Sequence, residues 1–201
     1  MNYYEFELDD EADEHLAVAT GMLARWSRQI PADLDGYLAA VEIALSRQED
    51  AERDLPIEDR ELQRAHEEAW VTGYRALTSA FQRERWQQVH RALTGVGDDE
   101  LEDLKILRNA IEHLDEVQFD GWEARPKPGT RPSKAIRKLP GERFQIEAGP
   151  GWRTHLFGLV AVEKLRRRAR RTAYFDLAGE ERGEAEGDWE PSDLQAGVDD
   201  R

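Results

Sequence analysis

The chain has 201 residues, no cysteine and a formal net charge of −15, with 39% hydrophobic and 35% charged residues. That length allows one domain with a buried core, and the lack of cysteine excludes thiolate catalysis, disulfides and Cys-ligated metals. No apolar run approaches the roughly 18 residues of a membrane span, and the acidic N-terminus does not read as a signal peptide, so a cytoplasmic protein with no membrane partner is expected.

In chain order, Tyr3–Leu8 alternates and reads either as a short strand or as a lead-in to helix. From Asp10 to Gln29 the apolar residues Leu16, Ala19, Met22, Leu23 and Trp26 follow helical spacing, and Pro31 is expected to end the run. A second helix, capped by Asp33 or Asp35, carries Leu38, Val41, Ile43, Ala44 and Leu45 up to a charged end at Glu49–Asp54, with Pro56 as the break. A third stretch, Glu58 to Leu93, has the stripe Leu62, Ala65, Ala69, Trp70, Gly73, Leu77, Ala80 and Phe81, with a bend or break expected near Gln82–Arg85 before Trp86, Val89 and Leu93. Thr94–Gly97 is a loop.

Asp98-Asp99-Glu100 then opens a further helix with an acidic first turn that suits the helix dipole. At about 100° per residue, Leu104, Leu107, Ala110, Ile111, Leu114 and Val117 share one arc. The opposite arc holds Lys105, Arg108, Asn109, Glu112, His113 and Glu116, with Arg108–Glu112 and Asn109–His113 as i,i+4 neighbours.

The six residues Arg108-Asn-Ala-Ile-Glu-His113 resemble the motif of the HEPN superfamily of all-α domains: an arginine, a polar residue directly after it, and a histidine a few positions on along the same helix. The resemblance covers those six residues and, loosely, the helical body around them. The four or five helical stretches joined by short loops predict an antiparallel bundle, HEPN-like on this resemblance, and the resemblance implies metal-independent RNA cleavage without a cofactor, in which a ribose 2′-hydroxyl attacks the neighbouring phosphate. It also implies a homodimer that joins two motif helices, in a protein of the toxin or phage-defence kind with an antitoxin or other protein partner. Histidine moves protons near neutral pH and suits His113 to proton transfer. Arginine stays charged and grips phosphate oxygens bidentately, which suits Arg108. Asn109 would position the phosphate or the imidazole, with Glu112 as an auxiliary residue. Glu112, Asp115 and Glu116 also crowd this surface with negative charge and stand against the approach of phosphate.

After residue 118 the texture changes. Residues 119–152 form a basic, Pro- and Gly-rich loop in which Arg143–Glu147 alternates as a short strand, part of a β-hairpin, and Ala148–Gly151 is a turn. Residues 153–175 read as a last helix capped by Thr154, holding Leu156, Leu159, Val160, Val162 and Leu165 and packing on the bundle of residues 1–118. Residues 176–201 read as a disordered acidic tail. Charge is segregated accordingly: residues 1–124 hold 12 Lys+Arg against 30 Asp+Glu, and residues 125–171 hold 14 against 3. The middle block reads either as a solvated loop and basic helix end that pair within the chain with the acidic tail, or as a cationic surface for nucleic acid although the whole chain is acidic, with Lys134, Arg137, Lys138, Arg166, Arg167, Arg168, Arg170 and Arg171 as candidate RNA contacts, or as a contact for a protein partner. No HExxH occurs and no two histidines lie four apart, so no metal site is expected. The reading from a different class is a non-catalytic helical module that binds RNA or protein through its acidic and basic surfaces, in which Arg108 is tied to Glu112 and His113 is packed or isolated.

Overall fold

The computed structural model describes residues 3–53, 55, 58–147 and 153–182, with side chains between Ala12 and Thr172. It is mostly helical: α1 (Tyr3–Glu52), α2 (Asp59–Thr94), α3 (Glu102–Ile111) and α4 (Val162–Arg182) are joined by two small antiparallel sheets. None of these helices is long and apolar enough to cross a membrane.

Helix α1 runs 50 residues, about 75 Å at 1.5 Å per residue, and does not stop at Pro31. Proline inside a helix costs about 3 kcal/mol. Here Ile30 just before the proline and Leu34 and Tyr37 in the turns after it are all fully buried in the core, and burying each large side chain is worth about 1.5–3 kcal/mol. Tertiary packing wins over the local break. Tyr3–Leu8 is also helical rather than a strand.

Helix α2 returns antiparallel to α1. Ser79 donates to Asp33, and Gly73 sits against the Tyr37 ring at 3.0 Å from where its Cβ would be. The bend expected near Gln82–Arg85 is absent, because Arg83 and Glu84 are buried and paired rather than solvated. Gly95, in the left-handed region at φ 73°, caps α2 with its N–H on the Arg91 carbonyl.

Helix α3 begins at Glu102, not at Asp98. Asp98 lies 3.6 Å from Arg83 and 3.7 Å from Arg171, and Asp99 lies 2.9 Å from Arg91, so distant arginines take the acids that read as a first turn. Leu104, Leu107 and Ala110 form its buried face.

The segment after α3 is more ordered than a loop. Strands β1 (Val117–Asp120), β2 (Glu123–Pro126) and β3 (Phe144–Gln145) form an antiparallel sheet in that order. Gly121, at φ 54°, supplies the tight β1–β2 turn. Between β2 and β3 the basic segment contains two 3-10 turns, Ile136–Lys138 and Pro140–Glu142. The turn expected at Ala148–Gly151 falls at its first three residues and at Gly151 outside the described residues.

The last helix starts later than Thr154 and ends later than residue 175. Leu156 and Val160 belong to a hairpin of β4 (His155–Leu156) and β5 (Val160–Ala161), and α4 continues to Arg182. Positive φ at Phe157 (51°) and Gly158 (63°) turns the chain back, which no helix tolerates. The acidic tail expected from Asp176 is therefore helical as far as Arg182; residues 183–201 lie outside the described residues. The core lies between α1 and α2 and is closed by Leu165 and Ala169 of α4, the buried face of α3, and Phe144, Ile146, Leu156 and Phe157 from the two sheets and the residues beside them.

Candidate functional site

The motif does not lie on one helical face. Helix α3 ends at Ile111, Glu112 is its C-terminal cap, and His113 leaves helical geometry at φ −119°, ψ 25° before a 3-10 turn at Leu114–Glu116. The reason lies downstream. Val117 must enter β1 opposite Pro126, the Lys127 N–H bonds the Glu116 carbonyl at 2.9 Å, and Lys127 Nζ bonds the Asp115 carbonyl at 2.7 Å. The sheet and the basic segment pull the chain out of the helix just before the histidine.

His113 is held by this arrangement. Its Nδ1 lies 2.8 Å from Glu116 Oε1, and Glu116 Oε2 accepts the Ser133 N–H at 2.7 Å. These bonds, the Ser133 amide first, keep the Glu116 carboxyl below its usual range. An ionised carboxylate on Nδ1 fixes that nitrogen as the protonated one and leaves Nε2 to accept a proton. The imidazole is 41% exposed, so solvent and ligand can reach it.

Arg108 takes a different direction. Its Nε is 3.8 Å from Glu112 Oε1, its guanidinium carbon is 5.8 Å from the centre of the Phe81 ring, and the side chain is 45% exposed. It faces α2 with Lys105 and Glu100 as neighbours along a shallow crevice. Among the described residues no hydrogen bond or ion pair joins Arg108 or Asn109 to His113. Within one chain the structure brings together His113, Glu116 and Ser133, and separates them from Arg108.

The basic block also divides. Lys134, Arg137 and Lys138 are exposed on the segment whose 3-10 turn packs against α3. The α4 arginines face the opposite elements. Arg166 pairs with Asp35 of α1, Arg168 lies 2.8 Å from Glu84 of α2, and Arg171 pairs with Asp98. Arg167 and Arg170 are exposed. Arg168 joins a buried network at Arg83 and Glu84: Arg83 meets Glu84 at 2.9 Å, Gln87 at 3.3 Å and Thr172 at 3.0 Å. Burial weakens the hold of Arg83 on its proton, and Glu84 and Asp98 oppose that.

A cavity of about 990 Å³ opens between α1, α2 and α4, with Leu23, Ala24, His90 and Arg171 in its lining, but none of the motif residues reaches it. Among the described residues no group of three or more histidine, aspartate or glutamate side chains could hold a metal ion. Glu116 was within sight of the sequence as an i,i+3 neighbour of His113; Ser133, 20 positions further on, carried no local signal. No protein-family model matches the chain, and neither a curated protein nor a solved structure shows significant similarity to it.

Proposed function

We propose that the chain is a HEPN-like, metal-independent endoribonuclease that acts as a homodimer, an effector of the toxin or phage-defence kind. The observation that carries this reading is the Glu116–His113 pair at 2.8 Å with the imidazole open to solvent. His113 Nε2 removes the proton of a ribose 2′-hydroxyl as that oxygen attacks phosphorus. The P–O5′ bond breaks, giving a 2′,3′-cyclic phosphate and a 5′-oxygen that takes up a proton.

Arg108 supplies the fixed cation for the phosphorane oxygens. Its contact with Glu112 is long and exposed, and such surface pairs contribute about 0–1 kcal/mol, so a phosphate can displace the glutamate. Because Arg108 and His113 diverge within one chain, the arginine and histidine that act on one phosphate come from two copies of the motif. Asn109 lies between them in sequence and serves to position the phosphate. Lys134, Arg137 and Lys138, on the segment anchored to Glu116 through Ser133, form the adjoining track for the RNA backbone.

RNA cleavage by purified protein beside His113→Ala, in EDTA and over roughly pH 5.5 to 8.5 to span the histidine range, tests this. Activity that survives chelation and disappears in the variant supports it; equal background in both proteins rejects it. The Arg108–Glu112 contact favours a second reading, a non-catalytic helical module that binds RNA or protein, and that second result would select it.

A further inference from the structure

A groove of about 310 Å³ opens between α2, the end of α3 and the sheets. Four of its aromatic residues, Trp70, Phe119, Phe144 and Phe157, contact one another. Trp70 stacks on Phe157 at 5.4 Å and meets Phe119 edge-on at 5.0 Å, while its indole N–H is spent on the Gly121 carbonyl at 2.7 Å. Tyr74 and Phe119 are nonetheless 46% and 50% exposed. The floor is thus the edge of the core, with Phe144 and Phe157 buried, while Phe119, braced edge-on by Trp70, and Tyr74 present aromatic surface to water, the form of a stacking platform.

Two further features narrow the ligand. Arg75 is the only charged residue among the described lining residues, in a chain of net charge −15. The groove therefore suits a planar π system attached to an anion. Ile111 and Leu114 also line it, and they bracket Glu112 and His113. Consecutive Cα atoms are about 3.8 Å apart, so the backbone of His113 lies at the groove rim, between two lining residues.

We propose that this groove is a nucleobase-stacking subsite for single-stranded RNA, seating the base beside the phosphodiester presented to His113. A base held in a duplex cannot enter it, so the subsite selects unpaired nucleotides. The proposal rests on RNA being the ligand, as in the reading above, but not on cleavage.

The test uses binding by full-length His113→Ala protein. The probes are a single-stranded oligoribonucleotide carrying 2-aminopurine at one position and the same strand abasic there. Binding is expected to quench the 2-aminopurine. Adding Phe119→Ala or Tyr74→Ala is expected to weaken binding about 5- to 150-fold, the range for one stacked base, and to remove the quenching. Both variants truncate half-exposed side chains, and circular dichroism verifies their fold. The abasic strand should bind weakly to the parent protein and lose nothing further in the variants. Tight binding without quenching, or equal losses for the two strands, overturns the subsite and leaves the RNA reading standing. No binding of any strand at low salt removes the RNA reading and the subsite with it. A shift from dimer to monomer in Phe119→Ala during sedimentation shows a second copy seated on the groove and also overturns the proposal.

Discussion

Arg83 and Glu84 are consecutive in the chain, both are buried, and their side chains pair at 2.9 Å in the middle of α2. Glu84 also accepts from Arg168 of α4, and Arg83 lies 3.6 Å from Asp98 on the approach to α3. One glutamate thus links α2 to α4, and one arginine links both to the segment that launches the motif helix. The network holds the segment before α3, and the downstream sheet and basic segment set where His113 leaves the helix.

Breaking that network should be expensive. Removing one partner of a buried pair leaves the other charge unpaired and costs about 3–5 kcal/mol. Glu84→Ala leaves Arg83 and Arg168 only the longer ion pairs to Asp98, at 3.6 and 3.9 Å, so equilibrium unfolding in urea should show a loss at the lower end of that range. A loss below about 1 kcal/mol, the level of a surface pair, would mean that water reaches the arginines and that the network does not hold α4 in place.

Pro31 gives the opposite expectation. It lies inside α1 and has no N–H to offer the Ser27 carbonyl one turn back. Pro31→Ala restores that bond and relieves the ring's clash with the preceding turn. We expect a gain of about 1–2 kcal/mol, less than the full helix-propensity difference because the half-buried ring also packs. Thermal unfolding measures it, and an unchanged or lower Tm would show that α1 needs a proline bend.

At Gly73 two effects compete. Glycine to alanine in a helix ordinarily stabilises by about 0.5–1 kcal/mol. The new Cβ would lie 3.0 Å from Phe157 Cζ and 3.0 Å from Tyr37 Cε2, and both rings are buried and cannot retreat. Overpacking of this kind costs about 1–3 kcal/mol, so Gly73→Ala should destabilise on balance. A neutral or stabilising result in urea unfolding would show that the α1–α2 contact yields.

Glu116 makes stability depend on pH. Its carboxyl is held below the usual range by the Ser133 amide and then by His113. A depressed carboxylate contributes stability above its unfolded value, about pH 4.3, and loses it as pH falls through the lower folded value. Wild-type stability should therefore fall more steeply than that of Glu116→Gln below about pH 4.5. Parallel curves would show that the carboxylate does not hold the basic segment.

Much of the helical body was legible because stripes such as Leu104, Leu107 and Ala110 repeat at helical spacing and are buried. The misreadings share one cause, a local signal overruled by a distant partner. Pro31 signalled a stop, but Ile30, Leu34 and Tyr37 pack too well for the chain to break. Asp98 and Asp99 signalled a helix start, but Arg83, Arg91, Arg168 and Arg171 claim them. Arg83-Glu84 read as a polar bend because nothing in sequence reveals that residues 84 and 168 meet. The β1–β2 hairpin did leave a signal, Asp120-Gly121 between Phe119 and Trp122, which the proline-rich context obscured. Of the site, Arg108, Asn109, Glu112 and His113 were legible as types and spacing. Their divergence was not, since it depends on Ser133 and Lys127 drawing the chain out of helix.

Arg108 separates a structural role from a functional one. Its contact with Glu112 is exposed at both ends, 45% and 64%, and 3.8 Å long, so the pair contributes a few tenths of a kcal/mol. The Phe81 ring, 5.8 Å away, adds about 0.5–1 kcal/mol at an exposed site. Arg108→Ala should thus lower stability by no more than about 1.5 kcal/mol and leave the protein folded. If the arginine stabilises charge on a transferring phosphate, cleavage should fall by about 100- to 1000-fold, the scale for losing one preorganised donor. Arg108→Lys should recover little, because an ammonium cannot make the bidentate contact. Measured side by side, a large loss of cleavage at unchanged fold assigns Arg108 to the phosphate. Full activity in the alanine variant would confine it to the surface pair and remove the motif's arginine from the mechanism.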